Sequence, residues 1–166
     1  EQDIVSKIGY DKVTEITSGG QRRQDSVLAG LSALPDSATH VLIHDGARPF
    51  ATEEILSSVI AGLDRADAAI PAVPCTDTIK NVDDGELVTG TPDRAHLRAV
   101  QTPQGFDVLK LRTAFQRASH DVTDEASLIE ATEGTVLCVP GAHTNLKITN
   151  TIDLQIANLI IKELKL

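Results

Sequence analysis

The sequence predicts an α/β domain on a mostly parallel sheet, and three observations predict it. Short apolar runs of strand length alternate with longer amphipathic segments of helix length over most of the chain, the signature of βαβ units. A length of 166 residues is enough for one domain with its own core. The run His40-Val41-Leu42-Ile43 then leads directly into His44-Asp45-Gly46-Ala47-Arg48-Pro49. Ligands of open α/β sheets bind at the carboxyl ends of strands, so a carboxylate and a guanidinium there mark a candidate nucleotide site. Taken alone, the same segment is equally a buried strand ended by a turn.

Each element has its own warrant. Residues 2–8 are weakly patterned and read as a helix end. Residues 12–17 alternate, with Val13 and Ile16 apolar, as a short strand that Ser18-Gly19-Gly20 breaks. Asp25 or Ser26 opens a helix to about residue 34, with Val27, Leu28, Leu31 and Leu34 on one face. After the strand at 40–44, Thr52 caps a helix whose first turn holds Glu53 and Glu54, acids that suit the positive end of the helix dipole. Residues 68–74 form an apolar strand. Residues 78–82 and 87–89, joined by Asp83-Asp84-Gly85, read as a hairpin arm of about residues 76–98. Residues 97–101 make a strand, 107–120 a helix, and 123–132 a further helix. Residues 135–139 and 146–149 are strands, and Thr151 or Asp153 caps a final helix carrying Ile152, Ile156, Leu159, Ile160 and Leu164.

Composition excludes several classes. The net charge of −9 opposes non-specific nucleic-acid binding, which depends on a basic field. No apolar run approaches the length of a membrane span. One Tyr, three Phe and no Trp leave the core to aliphatic side chains. Cys75 and Cys138 stand alone in apolar surroundings, as small buried hydrophobes do in a reducing compartment. The histidines make no zinc pattern, since His40 and His44 sit far apart along a strand. No Gly-x-Ser-x-Gly elbow supports a serine hydrolase.

Polar clusters instead fall at strand ends and helix starts. Gly19-Gly20 precedes Arg22, Arg23, Asp25 and Ser26, where a helix N-terminus could hold an anion or a base, or simply follow a turn. Asp77-Thr78-Ile79-Lys80 lies in the arm, where an exposed polar strand is the simpler account. Arg94 follows Asp93 and has the planar fork that suits phosphate, although a surface charge looks the same in sequence. Gln101-Thr102-Pro103-Gln104-Gly105 and the helix start Thr123-Asp124-Glu125-Ala126-Ser127 follow. In Asn145-Leu146-Lys147-Ile148-Thr149 a lysine interrupts an apolar strand, a mark of a pocket residue because an unpaired buried lysine is costly.

In this order the blocks resemble the 2-C-methyl-D-erythritol 4-phosphate cytidylyltransferases of the non-mevalonate isoprenoid pathway. The likeness covers nearly the whole chain; single blocks are weak and their succession is specific. It implies a Rossmann-like nucleotidyltransferase sheet, helices on both faces and a protruding arm, within one domain over residues 1–166. It further implies transfer of CMP from CTP to a methylerythritol phosphate with release of pyrophosphate, Mg²⁺ on the triphosphate, and a homodimer whose arms embrace. By resemblance Gly20, Gln21 and Ser26 line the cytosine pocket, and Asp45 and Gly46 face the ribose and the metal-bound phosphates. Gln21 stands where some relatives carry an acid, which a contact through the backbone would not feel. Arg48, Thr78, Arg94, Thr102, Thr123 and Lys147 hold the sugar phosphate, with Lys147 and Arg94 as the catalytic cations and Thr78 and Arg94 reaching the neighbouring subunit.

The family also has an N-terminal strand and a Pro-Ala-Ala-Gly-x-Gly loop with an arginine and a following lysine. This sequence shows no counterpart, opens on Glu1 and contains no methionine. The expectation is a C-terminal portion of the enzyme that by itself binds CTP poorly and turns over little. The resemblance places the enzyme in a bacterial cytoplasm or a plastid stroma. Two alternatives stay open at this point: a ribitol or glycerol phosphate cytidylyltransferase, which shares the Asp-x-x-Arg-Pro turn, and a non-catalytic dimerising module of the same fold.

Overall fold

Ala68-Ala69-Ile70-Pro71-Ala72-Val73-Pro74 carries no charge, and a strand without charge can be buried on both faces. In the computed structural model, which describes residues 12–118 and 122–164, this run is the central strand. In chain order the elements are α1 (Arg23–Ser32), β1 (His40–Ile43), α2 (Glu53–Gly62), β2 (Ala68–Pro74), β3 (Asn81–Val82) and β4 (Val88–Gly90). A 3-10 turn (Arg94–His96) leads to β5 (Arg98–Val100), β6 (Gln104–Asp107), α3 (Val108–Arg117), α4 (Ala126–Ala131), β7 (Val136–Pro140) and α5 (Thr151–Leu164).

One edge of β2 pairs in parallel with β7, from Ala68↔Val136 to Ala72↔Pro140. Its other edge pairs antiparallel with β5 at Ala72↔Val100 and with β6 at Ala68↔Phe106. Chain 98–107 thus runs alongside β2 but bulges outward at Gln101–Gln104, and Gln101 N–H returns to Pro71 O at 2.7 Å. β6 also pairs antiparallel with β1, from His40↔Asp107 to Ile43↔Gln104. β3 and β4 form a separate two-stranded sheet.

Side-chain alternation divides the core between the two faces. Ala68, Ile70 and Phe106 meet Leu31 of α1, Leu111 and Ala114 of α3, and Leu128 and Ile129 of α4. Ala69 and Val139 meet Ile55 and Val59 of α2. Two glycines let α2 lie close: a Cβ on Gly62 would come 2.7 Å from Ala69 Cβ, and one on Gly105 would come 2.6 Å from Val59 Cγ1. Thr52 caps α2 as expected, its hydroxyl accepting from Ile55 N–H at 3.5 Å.

The α/β class and the helices on both faces stand, and the sheet corrects the expectation of mostly parallel pairing. β1, β2 and β7 share a direction, but β6 inserts between β1 and β2 and runs against both. A strand's direction is set by its route through the fold, here a return from the arm, and residue periodicity carries no trace of it. β6 is a strand the sequence does not announce, since its four residues include Gln, Gly and Asp. Residues 12–17 and 146–149 are irregular rather than strands; the first is exposed throughout, and the second gives one ladder-like bond, Ile148 N–H to Ala47 O at 2.8 Å. α1 starts at Arg23, with the Asp25 carboxylate accepting from Arg22 N–H. Asn150 rather than Thr151 caps α5, its Oδ1 accepting from Ile152 and Asp153 N–H, while Asp153 reaches back to Thr149 and Asn150 N–H. The helix end read at residues 2–8 and the boundary at residue 120 lie outside the described residues. Among the described residues no helix is long and apolar enough to cross a membrane.

Candidate active site

Three segments meet at the carboxyl end of β1: the turn after it, the bulge between β5 and β6, and the loop after β7. Gln101, Thr102 and Asn145 are buried, and most of their polar atoms find partners within these segments. His44 Nε2 lies 2.9 Å from Arg48 O, which can only accept, so Nε2 carries the proton and Nδ1 is an acceptor. The Thr102 hydroxyl, 2.9 Å away, therefore donates to Nδ1 and accepts from Asp45 N–H at 3.0 Å. Arg48 Nη1 donates to Asn145 O at 2.8 Å, and Asn145 Nδ2 donates to Thr102 O at 2.9 Å. The circuit His44–Arg48–Asn145–Thr102 closes on itself. Gln101 braces it, exchanging hydrogen bonds with Ala142 N–H and O. Gly141 permits that approach, since a Cβ there would stand 2.6 Å from Gln101 Oε1.

This scaffold aims Asp45. Its carboxylate is 2.9 Å from Lys147 Nζ, and Arg48 Nε and Arg23 Nε each lie 3.9 Å away. Burial raises the Asp45 pKa, but the Lys147 hydrogen bond and the charges of Lys147, Arg23 and Arg48 outweigh it and hold the carboxyl below its ordinary range. Desolvation lowers Arg48, only partly opposed by Asp45. The Glu125 hydrogen bonds raise Arg23 against its own burial. Glu125 is fully buried and grips Arg23 with both oxygens, at 2.6 and 2.8 Å. Glu125 neutralises Arg23, so Lys147 and Arg48 are the cations left to Asp45, beside a cavity of about 500 Å³. That cavity runs between α1 and β1 and is lined by Arg23, Ser26, Gly30, His44, Asp45 and Gly46 among others.

The loop before α1 supplies the other wall. Gly20 N–H donates to Ser26 Oγ at 3.0 Å, and a Cβ on Gly20 would collide with that of Asp25, so only glycine fits. Gln21, next to it, is exposed. Thr123 is exposed in the turn that carries Glu125. Asp124 of that turn accepts from Gln104 Nε2 at 3.2 Å and caps α4 through Ser127 N–H.

The fold therefore brings together Gly20, Ser26, Asp45, Gly46, Arg48, Thr102 and Lys147 from distant parts of the chain. Thr78 and Arg94 stay with the arm, both exposed; Arg94 Nη1 donates to Thr76 O at 2.8 Å. Lys147 acts from an irregular loop rather than a strand. Glu125, His44 and Asn145 have no role assigned from the sequence, and Arg23 only a place in the cluster before the first helix, because a residue's partner across the fold has no local signal. Their presence within the quoted blocks was the only hint. Among the described residues no three His, Cys, Asp or Glu side chains gather as a metal cluster.

Comparison with known proteins identifies one family. Residues 1–163 match the family model for 2-C-methyl-D-erythritol 4-phosphate cytidylyltransferase (IspD). The chain is 43% identical over 165 residues to the enzyme of that name from Acaryochloris marina, covering 98% of this chain and 70% of that protein. It is 48% identical over 149 residues to the one from Prochlorococcus marinus, covering 88% and 67%. The crystal structure of 4-diphosphocytidyl-2C-methyl-D-erythritol synthase from Anaerococcus prevotii superposes with a TM-score of 0.90 at 34% identity, over 97% of this chain and 77% of that one. The cytidylyltransferase from Thermus thermophilus gives 0.78 at 34% identity, over 93% and 78%.

Proposed function

The chain belongs to the 2-C-methyl-D-erythritol 4-phosphate cytidylyltransferase family, and from that premise we propose that it transfers CMP from CTP to 2-C-methyl-D-erythritol 4-phosphate in isoprenoid precursor biosynthesis. The products are 4-diphosphocytidyl-2-C-methyl-D-erythritol and pyrophosphate. The observation that carries the reading is the Lys147–Asp45 contact at 2.9 Å, ringed by two arginines at the end of β1.

The chemistry asks for such a site. An oxygen of the acceptor phosphate attacks the α-phosphorus of CTP, forming a P–O bond as the bond to pyrophosphate breaks. Both reactants are anions, so positioning and cationic stabilisation supply most of the catalysis and no covalent enzyme intermediate is needed. Lys147 stabilises the transferred phosphoryl group, and Asp45 holds its ammonium in place between turnovers. Arg48, Thr102 and Thr123 bind the acceptor phosphate from one side. Gly20, Gln21 and Ser26 receive the cytosine, and Gly46 and Asp45 the ribose. The closed hydrogen-bond circuit fixes these groups before substrate arrives, which lowers the reorganisation needed during reaction.

Mg²⁺ would be held by the triphosphate oxygens and its own waters, with Asp45 near it but engaged by Lys147. When bound it neutralises charge on the triphosphate. The arm makes the homodimer: Val82, Leu87 and Val88 are 48%, 70% and 60% exposed there, apolar surface that a second arm would cover. Thr78 and Arg94 then serve the partner subunit's site.

The test is pyrophosphate release from CTP and Mg²⁺ with methylerythritol 4-phosphate, run beside ribitol 5-phosphate on the product of the full-length reading frame, with light scattering on the same sample. Release with the first acceptor alone and a dimeric mass are expected. Release with ribitol phosphate alone would refute the acceptor, and a monomeric mass would refute the arm-mediated dimer.

A further inference from the structure

Glu125 is a charged side chain with no exposure, at 0%. Removing a carboxylate from water is expensive, and an ion pair returns that cost only with excellent geometry; an apolar pair of similar size usually serves stability as well or better. The geometry here is excellent: Arg23 Nη1 and Nη2 donate to separate Glu125 oxygens at 2.6 and 2.8 Å. The third guanidinium nitrogen, Nε, is left 3.9 Å from Asp45 Oδ1. Arg23 thus stands between two carboxylates and is held by the buried one. Asp45 is left to Lys147 at 2.9 Å, and the cavity of about 500 Å³ between α1 and β1 stays open beside it.

Without the grip of Glu125, nothing in this arrangement keeps the guanidinium off Asp45. It would close the 3.9 Å gap, compete with Lys147 for the carboxylate and fill the cavity mouth. It would also loosen the first turn of α1, where Arg23 is anchored three residues from Ser26 and Gly20 donates to the Ser26 hydroxyl.

We propose that Glu125 is a positioning residue for the nucleotide, acting through Arg23 to hold the first turn of α1 and the Gly20–Ser26 loop open beside Asp45. The inference rests on the cytidylyltransferase reading and adds a residue and a direction to it. Because Thr123 shares a turn with Glu125, a merely structural role predicts a different loss, one that falls on the acceptor phosphate.

The experiment measures KM and kcat for both substrates, and the CTP dissociation constant by calorimetry, in the full chain carrying Glu125→Gln or the double change Arg23→Met/Glu125→Leu. Glu125→Gln should raise KM and Kd for CTP about tenfold to 100-fold, the scale of a misplaced binding group, with the acceptor KM within about twofold. The apolar pair should keep the melting temperature of the unmodified protein and, having no guanidinium to close on Asp45, bind CTP more tightly than Glu125→Gln does. An unchanged CTP Kd, or a loss confined to the acceptor KM, overturns the proposal. So does an apolar pair that binds CTP as weakly as Glu125→Gln. If the unmodified protein binds CTP but releases no pyrophosphate with methylerythritol phosphate, the cytidylyltransferase reading fails, and the CTP affinities of the variants still decide the role of Glu125.

Discussion

Lys147 shows what one residue can disclose. A lysine in an apolar run is conspicuous, because its charge must meet a partner or water. The structure supplies the partner, Asp45, 102 residues earlier in the chain, and leaves the lysine side chain 44% exposed. Lys147→Ala should lower the rate of CMP transfer roughly 10²-fold or more, as loss of a preorganised electrostatic donor does. Steady-state pyrophosphate release is the measurement, and a loss under about tenfold would remove Lys147 from that role. Its neighbour Asn145 was legible only as part of a block. Fully buried, it spends its amide on Thr102 O and its carbonyl on Arg48, contacts that depend on segments more than 40 residues away.

Among the elements, α2 and β6 make the clearest contrast. The start of α2 was readable, because its cap and its acidic first turn are local. β6 was not, because its place between β1 and β2 rests on a glycine that admits Val59, Leu42 and Leu63 against the sheet. Gly105→Ala should therefore destabilise the protein by about 1–3 kcal/mol through overpacking. Gly30 in α1 is the counterpart, with no atom within 4 Å of an added Cβ. Gly30→Ala should stabilise by about 0.5–1 kcal/mol through helix propensity and a less flexible unfolded chain. Urea denaturation of the two variants would test the opposite signs, and equal signs would refute the packing argument.

For the molecule as a whole, several carboxylates clamp segments together. Asp67 joins the starts of β2 and β7, accepting from Thr135 N–H at 2.8 Å and its hydroxyl at 3.1 Å. The Thr135 backbone N–H is the main cause that holds its carboxyl below the ordinary range. The Arg22 side chain does the same for Asp25, and Thr149 N–H for Asp153. A carboxyl whose folded pKa lies below its unfolded value of about 3.9 stabilises the fold above that value, and the contribution is lost as pH falls through the folded pKa. The urea midpoint should hold near neutrality and fall progressively below about pH 5. Asp67→Asn should flatten part of that fall. A midpoint that rises on acidification would contradict the sign.

The sequence by itself determined the α/β class, the existence of α2, β2 and α5, the arm hairpin and the family, because helix caps, apolar runs, turn residues and motif order are all properties of neighbours in the chain. It also showed the residue types of the site: the acid after β1, the glycine pair before α1 and the lysine after β7. Only the tertiary structure decided that β6 runs against β1 and β2, that residues 12–17 and 146–149 are not strands, and that Arg23 belongs to Glu125. Those outcomes depend on which surfaces meet, and the free energy of a contact belongs to both partners; periodicity along one segment describes only one of them.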